Sequence, residues 1–101
     1  MKTFDKVYNL VSQIPKGKVT TYKAISQAVG INPIIVGYAL HANNHPEYIP
    51  CHRVINSKGK ISNGYAFGGP DVQKEMLKKE GVKFDRKERV DLKDFGYFLF
   101  L

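Results

Sequence analysis

The sequence predicts a small, mostly α-helical domain that contains a helix-turn-helix and one β-hairpin. Three patterns support this prediction: an apolar stripe at helical spacing near the start, two short helical segments separated by Gly30, and a turn signal at residues 57–59 between extended segments. A chain of 101 residues suffices for one domain with a modest core, so we expect a single domain over residues 1–101.

The first helix is predicted from Thr3 to Ile14. Thr3 can cap its start, and Pro15 with Gly17 ends it. Apolar side chains recur at the i, i+3, i+4 and i+7 positions of one helical face, at Phe4, Val7, Tyr8 and Val11. We expect this stripe to pack into the core.

A helix-turn-helix is predicted next. Thr20 or Thr21 caps a short helix that ends at Gly30, and Asn32-Pro33 supplies the N-cap and the first residue of a second helix over residues 33–43. In DNA-binding versions of this motif the second helix enters a groove, and the small side chains on this one would let its backbone approach DNA closely. The alternative is a helical hairpin that packs within the core.

The segment after Cys51 is predicted to be extended. Residues 53–56 and 60–62 flank the turn at residues 57–59 and would pair as a β-hairpin. Residues 63–69 then form a loop that combines glycines with aromatic side chains.

A last helix is predicted from Pro70 to Glu80, and Gly81 ends it. The charged residues 83–89 are expected on a solvated surface. Residues 95–101 are too apolar to remain in water, so they would pack back on the domain or form a contact between chains.

Composition favours a polyanionic partner. The formal net charge is +7 and the pI is near 9.6, which point first to nucleic acid, with a basic ribosomal-type or membrane-surface protein as the alternative. A single cysteine excludes an internal disulfide framework and a multi-cysteine zinc site, and it suits a reducing cytoplasm. We expect a cytoplasmic or nucleoid-associated protein without a signal peptide, a transmembrane span or a membrane partner.

The cysteine lies in the sequence Pro50-Cys51-His52-Arg53-Val54. Because Pro50 fixes its own backbone, we expect Cys51 on a rigid turn. His52 can take the thiol proton, and the charge of Arg53 can lower the thiol pKa, which would make the thiolate a nucleophile. By itself, however, a lone cysteine is also commonly a buried small hydrophobe.

In its surroundings this pentapeptide resembles the C-terminal, DNA-binding domain of the O6-alkylguanine-DNA alkyltransferases. The resemblance runs from about Phe4 to Phe84 and implies a winged helix-turn-helix-like domain without metal or cofactor. Because the resemblance covers this domain alone, we expect no counterpart of the separate N-terminal domain of full-length alkyltransferases. The other matching residues are Ile49, the run from Ile55 to Gly59, the run from Val36 to Leu40, Asn43, the pair Gly68-Gly69 and the pair Glu80-Gly81.

The resemblance implies roles for particular residues. Cys51 would be the nucleophile, His52 its base, acting directly or through one water, and Glu80 the group that orients the imidazole. Tyr22 would bond the extruded base and help neutralise the departing guanine, and Asn43 would be a hinge between the recognition helix and the cysteine loop. DNA binding is assigned to Ile34, Gly37, Asn43, Arg53, Ser57 and Lys58. The substrate pocket is assigned to Tyr22, Val54, Phe67 and Gly68.

Two functions follow from the resemblance. The first is single-turnover transfer of an alkyl group from O6 of a flipped alkylguanine in double-stranded DNA to Cys51. The second is a non-enzymatic alkyltransferase-like damage sensor that recruits excision-repair proteins. Cys51 favours the first, because the alkyltransferase-like relatives carry tryptophan or alanine there. The second is favoured by Ile34 at the position of the family's arginine finger and by Phe67 where active members have a small hydroxyl residue. It is also favoured by Arg89-Val90-Asp91-Leu92 with Gly96-Tyr97, which resemble the alkyltransferase-like branch.

Overall fold

The computed structural model describes residues 2–62 and 65–100, and it confirms the predicted fold class. Asn63 and Gly64 of the predicted loop, and Leu101 of the predicted tail, lie outside the described residues. In chain order the elements are α1 (Lys2–Ser12), β1 (Thr20–Thr21), α2 (Tyr22–Val29), α3 (Pro33–His41), a 3₁₀ turn (Cys51–Arg53), β2 (Val54–Ile55), α4 (Gly69–Lys79) and α5 (Leu92–Phe95).

The caps define the helix-turn-helix of α2 and α3, as predicted. The Thr21 side chain accepts a hydrogen bond from the backbone N–H of Ala24 at 3.0 Å, and Gly30 ends α2 in the left-handed conformation, with φ 84°. Asn32 caps α3 by accepting from the backbone N–H of Ile34 at 2.9 Å. The predicted cap at Thr3 is wrong, since α1 already includes Lys2.

The predicted hairpin is replaced by a parallel pair. Its turn forms, and the Asn56 N–H donates across it to the Lys60 carbonyl, but β2 pairs with β1, in the register Thr20 with Val54 and Thr21 with Ile55. Both residues of β2 are fully buried, and so is Thr20. The backbone N–H and C=O groups of a buried strand must find hydrogen-bond partners inside the protein. The buried β1 provides them, whereas residues 60–62 are partly exposed.

Two apolar clusters hold the domain together. The first joins α1, α2 and α3 to Cys51, Val54 and Tyr65. The second is formed by Val19, Ile55, Leu77, Val82 and Val90. Because β1 and β2 lie between them, the segment that carries the cysteine is anchored from both sides.

The tail packs back on the domain, which was the first of the two predicted outcomes. Tyr97 and Phe100 lie against the first cluster, and the Tyr97 N–H donates to the Val19 carbonyl at 2.7 Å. Phe98 and Leu99 remain exposed. Among residues 2–62 and 65–100, no helix has the length and apolar content needed to span a membrane.

Candidate active site and nucleic-acid interface

Cys51 opens the 3₁₀ turn that follows Pro50, so the predicted rigid turn is confirmed. Its N–H donates to the Ile49 carbonyl at 2.7 Å, and the Arg53 N–H donates to the Pro50 carbonyl at 2.9 Å. These short-range bonds fix the backbone on both sides of the sulfur. The side chain is buried, at 5% exposure.

Burial raises the pKa of the Cys51 thiol, and a hydrogen bond from the Asn43 side chain opposes this to a smaller extent. The expectation that the neighbouring basic residues lower this pKa does not hold here, because desolvation of the buried thiol is the largest effect on it. Both basic side chains bond to Glu80. Cys51 is therefore a neutral thiol at neutral pH. A nucleophile at this position needs a base to remove the proton when the reaction occurs.

His52 and Glu80 form a buried pair at 2.9 Å between Nε2 and Oε2. Burial raises the pKa of Glu80, but hydrogen bonds from Arg53 and then His52 outweigh it and hold this pKa below its usual range. An ionised carboxylate can only accept, so Nε2 of His52 carries the hydrogen and Nδ1 keeps its lone pair. Burial lowers the pKa of His52, which keeps the ring neutral.

Nδ1 of His52 thus keeps an unused lone pair, on the residue that follows Cys51. It is buried and makes no hydrogen bond to any group within residues 2–62 and 65–100. Glu80 holds the opposite side of the ring, and it stands at the C-terminal cap of α4, where the helix dipole is unfavourable for a carboxylate. His52 and Arg53 supply the partners that stabilise it there.

Arg53 faces inward, contrary to its assignment as a DNA contact. Its guanidinium makes a two-point contact with Glu80, from Nε to Oε1 at 2.9 Å and from Nη2 to Oε2 at 2.7 Å, and Nη1 donates to the Ile14 carbonyl at 2.8 Å. The side chain is 16% exposed. Three of its five N–H donors bond within the protein, so the main role of the guanidinium in this structure is to fix Glu80.

A narrow cleft reaches Cys51 and has about 10 Å³ of free space. It is lined by Tyr22, Leu40, Cys51, Tyr65, Ala66 and Gln73. Tyr22 also lies 3.3 Å from the Ser62 hydroxyl, oxygen to oxygen. Of the residues assigned to the pocket, Tyr22 lines this cleft and the other three do not.

Those three residues lie outside the lining of the cleft. Val54 is fully buried in the first cluster, and the ring of Phe67 packs edge-on against Tyr65, with centroids 5.8 Å apart. Gly68 precedes α4 with φ 132°, and a Cβ there would lie 2.7 Å from the Val72 side chain. The loop therefore presents Tyr65 to the cleft and keeps Phe67 outside it.

Gln73 and Leu40 are cleft residues that the sequence analysis did not single out. The Gln73 amide is buried on α4 and donates from Nε2 to the carbonyls of His52 at 2.9 Å and Val54 at 3.1 Å. The signal for Gln73 was its spacing of four residues from Leu77, which places a polar side chain on the apolar face. Leu40 differs in no visible way from other core leucines.

A larger groove of about 640 Å³ runs along α3 and ends at the cleft. Its lining residues are Tyr22, Pro33, Ile34, Gly37, Tyr38, Leu40, His41 and Ala42. Tyr22 and Leu40 line both spaces, so the groove leads toward Cys51. Ile34 and Tyr38 are 62% and 64% exposed, and no lysine or arginine is among the lining residues.

Neither packing within the domain nor backbone conformation requires glycine at position 37. A Cβ at this position would meet no atom within 4 Å, and a glycine inside a helix costs about 1 kcal/mol relative to alanine. A bare backbone on the floor of an exposed groove suits the close approach of an external partner.

The remaining residues assigned to DNA binding do not line the groove. Asn43 is buried behind α3, donates from Nδ2 to the Ile49 carbonyl at 2.9 Å and accepts from the His45 N–H at 2.9 Å, so it links α3 to the segment before Cys51. Ser57 and Lys58 line a separate depression beside the C-terminal segment. Within residues 2–62 and 65–100, no group of three or more His, Cys, Asp or Glu side chains could hold a metal ion.

The fold and the site together define a helix-turn-helix domain in which an exposed apolar groove leads to a buried cysteine backed by a histidine–glutamate pair. Residues 2–82 match the family described as 6-O-methylguanine DNA methyltransferase, DNA binding domain. The chain belongs to this DNA-binding alkyltransferase family, as the resemblance implied.

Relatives of two kinds are similar to the chain. Alkyltransferase-like protein 1 of Schizosaccharomyces pombe is 45% identical over 83 residues, which cover 79% of this chain and 76% of that protein. The methylated-DNA–protein-cysteine methyltransferase of Methanothermobacter thermautotrophicus is 40% identical over 80 residues, covering 79% of this chain but 44% of the relative. The chain thus spans less than half of this methyltransferase.

The similar solved structures are also of these two kinds, an alkyltransferase-like protein and a methyltransferase. The Schizosaccharomyces pombe Atl1 protein, in complex with damaged DNA containing O6-carboxymethylguanine, superposes with a TM-score of 0.80 at 34% identity, over 95% of this chain and 94% of the other. The O6-methylguanine-DNA methyltransferase of Pyrococcus kodakaraensis superposes with a TM-score of 0.71 at 35% identity, over 81% and 47% of the two chains.

Proposed function

We propose that this protein repairs double-stranded DNA by a single transfer of an alkyl group from O6 of a flipped alkylguanine to Cys51. The observation that carries the proposal is the arrangement of Cys51, His52 and Glu80 at the inner end of an exposed groove. Cys51 is a neutral thiol, and the imidazole of the next residue is neutral, with its hydrogen-bearing nitrogen held by a carboxylate. A protein that only held the lesion would not need this set.

DNA would lie along α3, with the Gly37 backbone close to the minor groove. The reacting carbon is on a base edge inside the duplex, so the nucleotide must leave the stack before Cys51 can reach it. A cleft of about 10 Å³ is far too small for a purine. Tyr22 and Tyr65, which both line the cleft, would move apart to admit the base.

His52 would then remove the thiol proton through Nδ1, directly or through one water, and Glu80 would stabilise the imidazolium. The sulfur attacks the alkyl carbon in line, an S–C bond forms, and the C–O bond breaks. The electron pair stays with guanine, and the proton taken from the thiol ends on its ring nitrogen. The Tyr22 hydroxyl would help neutralise the departing base. The thioether product is stable, so each molecule reacts once.

A lesion sensor that flips the base without transfer is the second candidate. The nearly closed cleft and the raised pKa of Cys51 favour it, as does the likeness to the alkyltransferase-like protein. Excision-repair proteins would then be the partners. Incubation with methylated duplex, followed by intact-protein mass measurement, separates the two functions, because transfer alone makes the protein heavier.

DNA binding is expected to depend strongly on salt and weakly on sequence. The net charge of +7 implies phosphate contacts that release counterions, at a slope of about −0.9 in log affinity against log salt for each phosphate neutralised. Since the α3 groove has no lysine or arginine lining, these contacts must come from neighbouring lysines such as Lys23. Titration of a duplex at several salt concentrations measures the slope. A flat dependence would exclude nucleic acid as the partner.

Ile34→Arg is expected to strengthen lesion binding and speed transfer, while Ile34→Ala weakens both. Isoleucine at this exposed position can fill the space left by a flipped nucleotide by contact alone, as apolar wedges do in other minor-groove binders. Arginine would add a charged hydrogen bond to the orphaned base, a gain of about 1 kcal/mol or more. Lesion affinity and single-turnover rate measure the two effects.

Ile35 is the control for the register of α3, because it is half-buried on the same helix. Ile35→Ala should lower the melting temperature and leave DNA affinity nearly unchanged. The opposite pattern, with Ile34→Ala unfolding the domain and Ile35→Ala affecting DNA alone, would place Ile35 against the duplex instead.

A further inference from the structure

Tyr38 is the largest exposed side chain of the α3 groove, and the proposed chemistry leaves it without a role. Its ring is 64% exposed and stands one helical turn after Ile34, on the same face. Two large apolar side chains left together in water on a helix of a small domain indicate a surface that is covered in use.

The lining of the groove restricts what can cover it. No lysine or arginine lines the groove, so it offers phosphate no permanently charged group. Its lining combines apolar side chains with the phenol hydroxyls of Tyr22 and Tyr38, the imidazole of His41 and the bare backbone of Gly37. Sugar faces and base edges of a minor groove match this surface, because they are flat and largely apolar, with scattered hydrogen-bond acceptors.

The helical spacing places Tyr38 relative to the lesion. Residues four apart on a helix are separated by about 6 Å along its axis, and successive base pairs by about 3.4 Å. If Ile34 fills the space of the flipped nucleotide, Tyr38 reaches a nucleotide within about two steps of it. Gly37, directly before Tyr38, lets the helix come close enough for the ring to lie against that nucleotide.

We propose that Tyr38 is a DNA-contact residue that holds the flipped state open. Its ring packs against a nucleotide beside the gap, and its hydroxyl donates the hydrogen bond to DNA that Ile34 lacks. The inference rests on the proposed binding of damaged DNA, and it is independent of whether Cys51 accepts the alkyl group.

The test compares Tyr38→Ala, Tyr38→Phe and the control Tyr48→Ala in the full chain. Tyr48 has the same side chain as Tyr38 and is 73% exposed, but it does not line the groove. Each protein is titrated with two duplexes. One contains O6-methylguanine next to the fluorescent base 2-aminopurine, and the other has guanine in place of the lesion.

Tyr38→Ala is expected to lose lesion affinity on the order of tenfold, the size of one base–aromatic contact, and to change the 2-aminopurine signal of the complex. Tyr38→Phe keeps the ring and should lie between the alanine variant and the wild type. Tyr48→Ala should match the wild type on both duplexes, and every variant should melt at the wild-type temperature.

Three results would overturn the inference while leaving DNA binding intact. They are unchanged lesion affinity in Tyr38→Ala, a large drop of its melting temperature, or a change in oligomeric state in place of a change in DNA affinity. A wild-type protein that binds neither duplex would instead overturn the proposed function, and the role of Tyr38 with it.

Discussion

Cys51→Ser is expected to abolish alkyl transfer and to leave lesion binding within about twofold of the wild type. The hydroxyl of serine is far less acidic than a thiol, so His52 cannot generate the nucleophile. The side chain is nearly the same size and sits on a turn that backbone hydrogen bonds hold, so the cleft keeps its shape. Transfer is measured as label retained by the protein from a duplex with a labelled methyl group, and binding by fluorescence anisotropy.

Two results would contradict this expectation. Label retained by the serine variant would place the acceptor on another residue. Binding lost together with transfer would mean that Cys51 acts as a core side chain, the ordinary role of a lone buried cysteine.

His52→Ala is expected to slow transfer on the order of a hundredfold or more, the usual scale for a positioned base, with lesion affinity nearly unchanged. Without the base, the reaction depends on thiol that ionises unaided, and burial raises the pKa of that thiol. Below this raised pKa the variant's rate should rise about tenfold for each pH unit, and the wild-type rate should rise less steeply because His52 is already neutral. Single-turnover rates across a pH series measure both slopes.

Glu80→Gln should slow transfer as well, but it is a less clean variant. It leaves the guanidinium of Arg53 largely buried without its countercharge, which costs a few kcal/mol of stability. Glu75→Gln is the matched control, because Glu75 is exposed on the same helix. Equal losses of rate and affinity in His52→Ala, or parallel pH profiles, would make the histidine–glutamate pair a structural feature.

Local signals in the sequence were enough to predict the helix-turn-helix. The caps at Thr21 and Asn32 and the stop at Gly30 act over a few residues, so their chemistry is visible without knowledge of the fold. The turn at residues 57–59 is equally local, and it forms as predicted. The partner of β2 depends on which distant segment is buried beside it, and that could not be predicted from a turn.

The site divides in the same way. The resemblance identified Cys51, His52 and Glu80, and the structure brings the last two together. It did not reveal that Arg53 would turn inward, because α4 brings Glu80 to it from 27 residues away. The pKa of Cys51 was misjudged for a related reason: neighbouring charges are visible in a sequence, whereas the burial that outweighs them is not. The spacing of Gln73 from Leu77 marked it as a polar residue on an apolar face, but its role could not be predicted because its partners are backbone carbonyls of a distant segment.

The central claim is that Cys51 accepts the alkyl group, and the intact mass of the wild-type protein tests it most directly. The protein is incubated with an excess of duplex containing O6-methylguanine until binding is complete, and its mass is compared with that of Cys51→Ser treated identically. We predict that the wild-type mass increases by a methyl group in place of a hydrogen, located on the peptide that contains Cys51, and that the variant is unchanged. An unmodified wild-type mass after complete binding would contradict the claim and make this protein a sensor of alkylated DNA.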